Sequence, residues 1–188
     1  MTLFLAIAML VMAAAIVLLF AMMGELTARL PHLSVGYRDP VVRPLPEVHI
    51  GARATRWPDE LRDLANDEGP ACLVVLSTAC ATCGDVAEQL AEHLSRRSRV
   101  PTGIAVSCAD RRAGEELVRR HDLSRLPVYV DERGEWVGRE FGARTSPSGL
   151  VLRQGVVDAA YVFGDVVALE KAISDSNNRS NREEVIVT

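Results

Sequence analysis

Two cysteines three positions apart are the residues of this sequence best suited to chemistry. Cys80 and Cys83 enclose the dipeptide Ala81-Thr82. Before them lies the apolar run Cys72–Leu76, which predicts a strand buried on both faces. After them apolar residues recur at helical spacing, at Val86, Leu90 and Leu94. The sequence therefore places a dithiol where a strand ends and a helix begins.

That position favours redox chemistry. The first-turn N–H groups of a helix lack intrahelical partners and carry partial positive charge, so they stabilise a thiolate. Cys80 is the predicted nucleophile, and Cys83 is placed to resolve a mixed disulfide. The alternative is half of a structural zinc site, which needs a second pair of ligands. Because Cys72 and Cys108 stand singly, we favour the redox dithiol and predict no metal and no cofactor.

Length and charge exclude other classes of function. The 188 residues are enough for one domain with appendages. The formal net charge of −4 leaves no basic footprint, so we expect no nucleic-acid partner. Four cysteines in a chain of this length do not form a disulfide scaffold.

The N-terminus predicts contact with a membrane. Residues 2–24 contain no charged side chain, and about 20 apolar residues span a bilayer as a helix. The alternative, a helix buried in a soluble protein, is disfavoured because no face of this segment is polar. We therefore predict a transmembrane anchor in residues 1–30, in contact with the lipid bilayer through residues 2–24. Residues 31–48 contain four prolines and predict a stiff, extended tether.

Residues 49–174 predict a globular α/β domain. A helix begins near Trp57, with Leu61 and Leu64 facing inward. The elements predicted after the dithiol are a strand at Gly103–Ser107, a helix at Arg112–His121, a strand at Pro127–Val130, a hairpin of Ser148–Leu152 and Val156–Phe163, and a helix at Asp165–Ile173. This order implies a central mixed sheet flanked by helices. Residues 175–188 are polar and predict a disordered tail.

Three features together resemble a known family. They are Cys80-Ala81-Thr82-Cys83 after a buried strand, the strand Leu126–Asp131, and Thr145-Ser146-Pro147 before a strand–Gly–strand unit. The chain resembles membrane-anchored thioredoxin-like proteins of the TlpA/ResA type, and among them most the methylamine-dehydrogenase accessory proteins of the MauD type. The resemblance implies a thioredoxin-like fold in which Pro147 is cis and lies against the dithiol. It also implies that Ser146 offers backbone groups to an incoming peptide or thiol partner.

The sequence departs from many thioredoxins around the dithiol. Ala79 stands where a tryptophan is common, and the buried strand carries no acidic residue to accept a proton behind Cys83. Only the helix dipole is predicted to favour the Cys80 thiolate, so we expect a modestly lowered pKa and an intermediate to reducing potential. His121 is either a neighbour of the dithiol or a surface histidine, and we favour the second interpretation.

The two single cysteines are predicted not to pair. If their strands are parallel neighbours, Cys72 lies at an amino end and Cys108 just beyond a carboxyl end, which at about 3.3 Å per residue is outside disulfide reach. Cys72 is interpreted as an inert core thiol. Cys108 shares the sheet edge with Cys80, so it is either a third redox thiol or a buried, unreactive cysteine. We favour the second interpretation.

Two hypotheses for function follow. The first is a membrane-tethered thiol–disulfide oxidoreductase that acts on a protein thiol or disulfide near the membrane, in maturation of an exported or membrane redox protein. The second is an accessory or assembly subunit of a membrane complex, with little turnover. Arg29, Arg38 and Arg43 follow the apolar segment and, by charge alone, would place the domain in the cytoplasm. The resemblance implies a single-pass membrane protein with an extracytoplasmic domain, and we follow the resemblance.

Overall fold

The structure, a computed structural model, describes residues 41–66, 69–97 and 100–186, together with positions 9, 12, 14–16 and 18. These isolated positions near the N-terminus are helical. The rest of the predicted anchor, and the predicted tether as far as residue 40, lie outside the described residues. In the part of the chain that is described, no helix combines the length and apolar character needed to cross a bilayer.

Strands and helices alternate through the domain, largely as predicted. The strands are β1 Arg43–Pro44, β2 Pro70–Ser77, β3 Thr102–Cys108, β4 Val128–Glu132, β5 Ser148–Arg153 and β6 Val156–Val162. The α-helices are α1 Arg62–Asn66, α2 Cys83–Arg97, α3 Arg111–Arg120, α4 Glu135–Phe141 and α5 Val166–Ile186. Short 3₁₀ turns at Asp59–Leu61 and Leu123–Arg125 precede α1 and β4.

The six strands form one mixed sheet, as the sequence predicts. Their spatial order is β1-β6-β5-β2-β3-β4. The pairs β2–β3 and β3–β4 are parallel, and the remaining pairs are antiparallel. The central strand β2 therefore ends beside the carboxyl ends of β3 and β4, and its end also lies beside the start of β5, where Val75 is opposite Ser148.

Alternation along β2 separates two apolar cores. Leu73 and Val75 belong to one core, and Val74 and Leu76 to the other, because successive side chains of a strand point to opposite faces. On the first face lie α1, with its preceding turn, and α4; on the second lie α2 and α5. Each face of the sheet is thus covered by helices.

The first core brings α1 close to the sheet at a glycine. Leu61 and Leu64 are buried, as predicted. A Cβ built on Gly103 of β3 would lie 2.5 Å from Leu64 Cδ1 and 2.7 Å from Leu61 Cδ2. A side chain at this position would push the two leucines away from the sheet.

Helix α4 and the short strand β1 are the elements that the sequence prediction lacks. The sequence predicts that the strand ends at Val130 and that the chain turns at 131–134. In the structure, β4 continues to Glu132 and a short helix follows Gly134. The carboxylate of Asp131, which is buried, accepts hydrogen bonds from the N–H groups of Trp136 (3.0 Å) and Val137 (2.9 Å). Asp131 thus satisfies the first turn of α4 from the adjacent strand.

Both predicted boundaries of the domain shift. Residues 41–48, assigned to the tether, pack onto the domain: Leu45 and Val48 are buried, and the Leu45 N–H donates to the Ala160 carbonyl (2.9 Å). At the other end, α5 continues to Ile186, through most of the tail predicted to be disordered. Arg153 Nη2 donates to Asn177 Oδ1 (2.7 Å), which ties this extension to the end of β5. Polar composition alone does not distinguish an exposed helix from a disordered segment.

Candidate functional site

The predicted dithiol lies at the carboxyl end of β2 and is closed as a disulfide. Cys80 and Cys83 are bonded, with their Cα atoms 5.3 Å apart. Helix α2 begins at Cys83, so Cys80 lies in the turn before the helix and not within it. The Cys83 N–H donates to the Cys80 carbonyl (3.3 Å), and the Cys80 N–H donates to the Ser77 carbonyl (3.3 Å). These bonds fix both cysteines against the strand end.

The two sulfurs differ in accessibility. Cys83 is fully buried in the second core, among the apolar residues of α2 and the sheet. Cys80 is partly exposed. An incoming group can therefore reach Cys80 but not Cys83.

Each sulfur has a hydrogen-bond donor beside it. Thr82 Oγ1 lies 3.4 Å from Cys80 Sγ, and the Ser77 N–H donates to Cys83 Sγ at 3.4 Å. Donors of this kind stabilise a thiolate when the disulfide is reduced. The sequence predicts stabilisation of the Cys80 thiolate by the helix dipole alone; the Thr82 hydroxyl, which lies inside the motif itself, is a second source.

The predicted cis-proline loop faces Cys80. The Ser146–Pro147 peptide bond is cis, and the Ser146 carbonyl oxygen lies 3.4 Å from Cys80 Sγ. The structure thus brings together Cys80, Cys83 and the Ser146–Pro147 bond, although Ser146 lies 66 positions after Cys80. A reduced Cys80 thiol at this distance would donate to the Ser146 carbonyl.

Glu47, which sequence reasoning missed, binds the backbone of that loop although it lies far from it along the chain. Its Oε1 accepts hydrogen bonds from the N–H groups of Arg144 (2.9 Å) and Thr145 (2.8 Å). The backbone bond from Arg144 is the main cause that lowers the pKa of the Glu47 carboxyl below its usual range. Nothing in the sequence singles out this glutamate, because it lies about a hundred residues from the loop.

His121 lies nearer the dithiol helix than its interpretation as a surface histidine implies. It is partly buried at the end of α3. A Cβ built on Gly84, the residue after Cys83, would lie 3.8 Å from His121 Nε2. The imidazole therefore packs against the first turn of α2.

Cys72 and Cys108 are free and buried, as predicted. Burial raises the pKa of the Cys72 thiol to about 12. Burial is also the main cause that raises the pKa of Cys108, whose Sγ lies 3.9 Å from the Asp131 carbonyl. These environments favour the neutral thiol and support the interpretation of both as unreactive.

A cleft of about 660 Å³ opens beside the dithiol on the face of the sheet that carries α4. Ser77 and Ser107 line it from the ends of β2 and β3, and Ser146 lines it from the cis-proline loop. The other residues that line it are Val75, Arg133, Gly134, Glu135, Val137, Gly138, Arg139, Ala143 and Arg144. Among the described residues, no group of three or more His, Cys, Asp and Glu is placed to hold a metal ion.

Comparison with known proteins gave matches among solved structures. No family model and no curated protein matches the chain. A secreted disulfide oxidoreductase of Mycobacterium tuberculosis homologous to E. coli DsbE is 15% identical, with a TM-score of 0.49, over 69% of this chain and 95% of that one. A DsbF homologue from Corynebacterium diphtheriae is 16% identical, with a TM-score of 0.49, over 74% and 90%. A putative thiol:disulfide interchange protein DsbE from Chlorobium tepidum is 18% identical, with a TM-score of 0.49, over 69% and 98%.

The arrangement within this chain defines its fold class. A parallel β2–β3 pair, an antiparallel β2–β5 pair and a CxxC motif between β2 and α2 surround the site. A cis-proline loop before β5 faces the first cysteine. The domain is a thioredoxin-like α/β fold with a mixed central sheet.

Proposed function

We propose that this protein is a thiol–disulfide oxidoreductase in which Cys80 is the nucleophile and Cys83 the resolving cysteine. The observation that carries the proposal is the asymmetric disulfide: a reachable Cys80 faces the Ser146–Pro147 bond, while Cys83 is fully buried behind it.

The reaction conserves atoms and electrons as thiol–disulfide exchange. In the reduced protein, the Cys80 thiolate attacks one sulfur of a partner disulfide; the partner S–S bond breaks and its second sulfur leaves as a thiolate, which takes up a proton. The Cys83 thiolate then attacks Cys80 Sγ and displaces the first partner sulfur. The partner gains two electrons and two protons, and Cys80–Cys83 becomes a disulfide. The reverse sequence oxidises a partner dithiol.

Ser146 and Pro147 are proposed to bind the partner next to Cys80. The Ser146 carbonyl already lies 3.4 Å from the sulfur that would form the mixed disulfide. A polypeptide segment that follows the loop would place its own sulfur within reach of Cys80, so that the loop positions the attack.

A second part of the proposal concerns where the protein acts and which kind of partner it acts on. We propose that residues 2–24 anchor the protein in a membrane, that the domain is extracytoplasmic, and that the partner is an exported or membrane redox protein that requires reduced cysteines. Uncharged residues 2–24 and the resemblance to MauD-type proteins support this assignment. An alkaline-phosphatase fusion after Ile173 is expected to be active, and an active cytoplasmic reporter at the same position would place the domain on the other side.

The central experiment measures turnover of a disulfide-bonded protein, insulin, by the full-length chain in detergent. Wild type is expected to accelerate reduction by a dithiol, and Cys80→Ser to be inactive, while Cys72→Ala retains the wild-type rate as the matched cysteine control. Equal rates for wild type and Cys80→Ser would remove the oxidoreductase function.

Cys83→Ser is expected to trap the partner as a mixed disulfide. Co-purification with a membrane complex that persists in the Cys80→Ser, Cys83→Ser variant, without turnover, would favour the accessory subunit.

A further inference from the structure

The cleft shares two residues with the surroundings of the dithiol. Ser146, which lines it, contacts Cys80 Sγ through its carbonyl, and Ser77, which also lines it, donates its N–H to Cys83 Sγ. A group that enters this cleft therefore lies next to the Ser146 carbonyl, which contacts Cys80 Sγ, and on the opposite face of the sheet from the core that buries Cys83.

The charge of the cleft contrasts with the charge of the chain. Arg133, Arg139 and Arg144 line it, and Glu135 is the one acidic residue among the lining residues. The chain as a whole carries a formal net charge of −4. The lining residues therefore carry more positive than negative charge, while Glu140 and Glu47, which do not line the cleft, lie next to Arg139 and Arg144.

These arginines remain available to an anion. Arg133 Nη1 lies 3.4 Å from Glu135 Oε1 with its side chain 77% exposed, and Arg139 Nε bonds Glu140 Oε1 at 3.0 Å with its side chain 65% exposed. Arg144 is also exposed. Exposed guanidinium groups keep several of their five N–H donors free for a second carboxylate.

The inner wall of the cleft offers hydroxyl groups. Ser77 and Ser107 face each other across β2 and β3 and both line the cleft. Ser148 lies opposite Val75 in the antiparallel β2–β5 pair, so its side chain points to the same face as Val75, which also lines the cleft. Its Oγ is fully buried and has no hydrogen-bond partner. Ser148 is not itself a lining residue of the cleft, so the strand-end hydroxyl groups that a ligand can reach there are those of Ser77 and Ser107.

We propose that this cleft binds carboxylate side chains of the partner polypeptide, and so selects partners with acidic residues next to the reacting cysteine. The inference rests on the proposed oxidoreductase function and names the class of substrate for that same site. Arg133 and Arg144, at opposite ends of α4, are the specificity-determining residues, and the serine hydroxyls complete the polar lining.

An acidic polypeptide suits the cleft better than a small anion does. The cations come from three positions, before, within and after α4. Exposed cations of this kind steer a charged macromolecule into contact and fix its register. The cleft also joins the Ser146–Pro147 loop, along which a polypeptide backbone would run.

The test uses the full-length chain in detergent and two disulfide-bonded peptides that differ only in Glu or Lys residues beside one cysteine. Wild type is expected to reduce the Glu peptide with a kcat/KM about tenfold higher than the Lys peptide at low salt, and to lose the preference as ionic strength rises. Arg133→Gln with Arg144→Gln is expected to lower kcat/KM for the Glu peptide about tenfold, with two- to fivefold from each arginine, and to leave the Lys peptide unchanged or faster.

Arg119→Gln is the matched control. It removes the same charge from α3, whose Gly114 packs against Val130 and Cys108 on the other face of the sheet, so we expect no change with either peptide. An equal loss for both peptides in the double variant, or no loss in either, would overturn the assignment. So would a preference for oxidised glutathione over the Glu peptide that depends on the same arginines, because the ligand would then be a small anionic thiol.

A second readout separates this inference from the proposed function. Binding of a labelled Glu peptide whose cysteines are serine is measured by fluorescence anisotropy, without any redox step. Arginine-dependent binding without turnover of either disulfide peptide would retain the cleft assignment and remove the oxidoreductase function. Turnover that depends on Cys80 but not on the arginines would retain the oxidoreductase function and remove the cleft assignment.

Discussion

The two ends of strand β2 hold cysteines in opposite environments. Near the amino end, Cys72 lies inside the second core, 2% exposed, between β3 and β5. Beyond the carboxyl end, Cys80 and Cys83 form a disulfide, and Cys80 is accessible. Of these three cysteines, Cys72 and Cys83 are thus buried in the second core, and only Cys80 is accessible.

The difference shows that backbone direction decides which cysteine can react. At the carboxyl end of β2, the Thr82 hydroxyl and the Ser146 carbonyl each lie 3.4 Å from Cys80 Sγ, and the Ser77 N–H donates to Cys83 Sγ. At Cys72, burial raises the pKa of the thiol to about 12, and the negative charge of Glu170 adds to the increase. Cysteine reactivity follows the thiolate, so only one end of the strand is suited to exchange.

The largest expected effect is on thiol labelling of the native, reduced protein. At neutral pH a thiol with a pKa of about 12 has roughly a thousandth of the thiolate of an ordinary cysteine with a pKa of about 8.5. We therefore expect iodoacetamide to modify Cys80 at least about 10³ times faster than Cys72, with Cys108 also slow. Mass spectrometry of timed samples measures the rates. Labelling of Cys108 as fast as Cys80 would instead make it a third redox thiol.

The next effect concerns alkaline stability. The unfolded Cys72 thiol loses its proton near pH 9.0, whereas the folded one keeps it to about 12, so its contribution to stability is complete below about pH 9 and is lost as pH rises toward 12. Between about pH 7.5 and about pH 10.5 the loss is about 2 kcal/mol. Urea unfolding of Cys80→Ser, Cys83→Ser protein with and without Cys72→Ala measures it. The same pH slope in both would exclude Cys72 as the cause.

The smallest effect is expected on stability and turnover when the loop beside the carboxyl end of β2 loses its support. Glu47→Ala removes the acceptor of two N–H groups that hold the loop before Ser146, so we expect a loss of about 1 kcal/mol of unfolding free energy and a several-fold fall in insulin turnover. Because the pKa of Glu47 is lowered, its contribution is present above about pH 4.5 and is lost as pH falls through the lower folded value.

Asp158→Ala is the matched control for that change. The Asp158 carboxylate pairs with Arg153 (3.1 Å), which lies opposite Pro70 at the amino end of β2. We expect a stability loss of at most about 1 kcal/mol and unchanged turnover. A turnover loss in Asp158→Ala that matches the one in Glu47→Ala would mean that activity follows general stability and not the loop.

Much of the fold could be read from the sequence where a pattern is local. The buried run of β2, the helical spacing after Cys83 and the hairpin β5–β6 each lie within a short stretch, and each is confirmed. Helix α4 was missed because it has seven residues and follows a strand without a break in composition. Its formation depends on Asp131 as an acceptor and on packing of Trp136 and Phe141 into the first core, which local periodicity does not contain.

The candidate site also combines features that could be predicted from the sequence with features that could not. The spacing of Cys80 and Cys83 and the position of Pro147 were visible in the sequence, and their meeting follows the resemblance. The supports of the site were not visible: Glu47 reaches the loop from a segment interpreted as a tether, and the cleft collects residues from Val75 to Ser146.

By itself, the sequence determined where a redox-capable pair of sulfurs stands relative to a strand and a helix, because that relation depends on neighbours within about one helical turn. Tertiary structure alone decided what surrounds the pair, including a fully buried Cys83, the Glu47-held loop and an arginine-lined cleft. The physical reason is that burial, hydrogen bonding across the chain and local electric potential depend on distances in space, which strand order fixes and sequence separation does not.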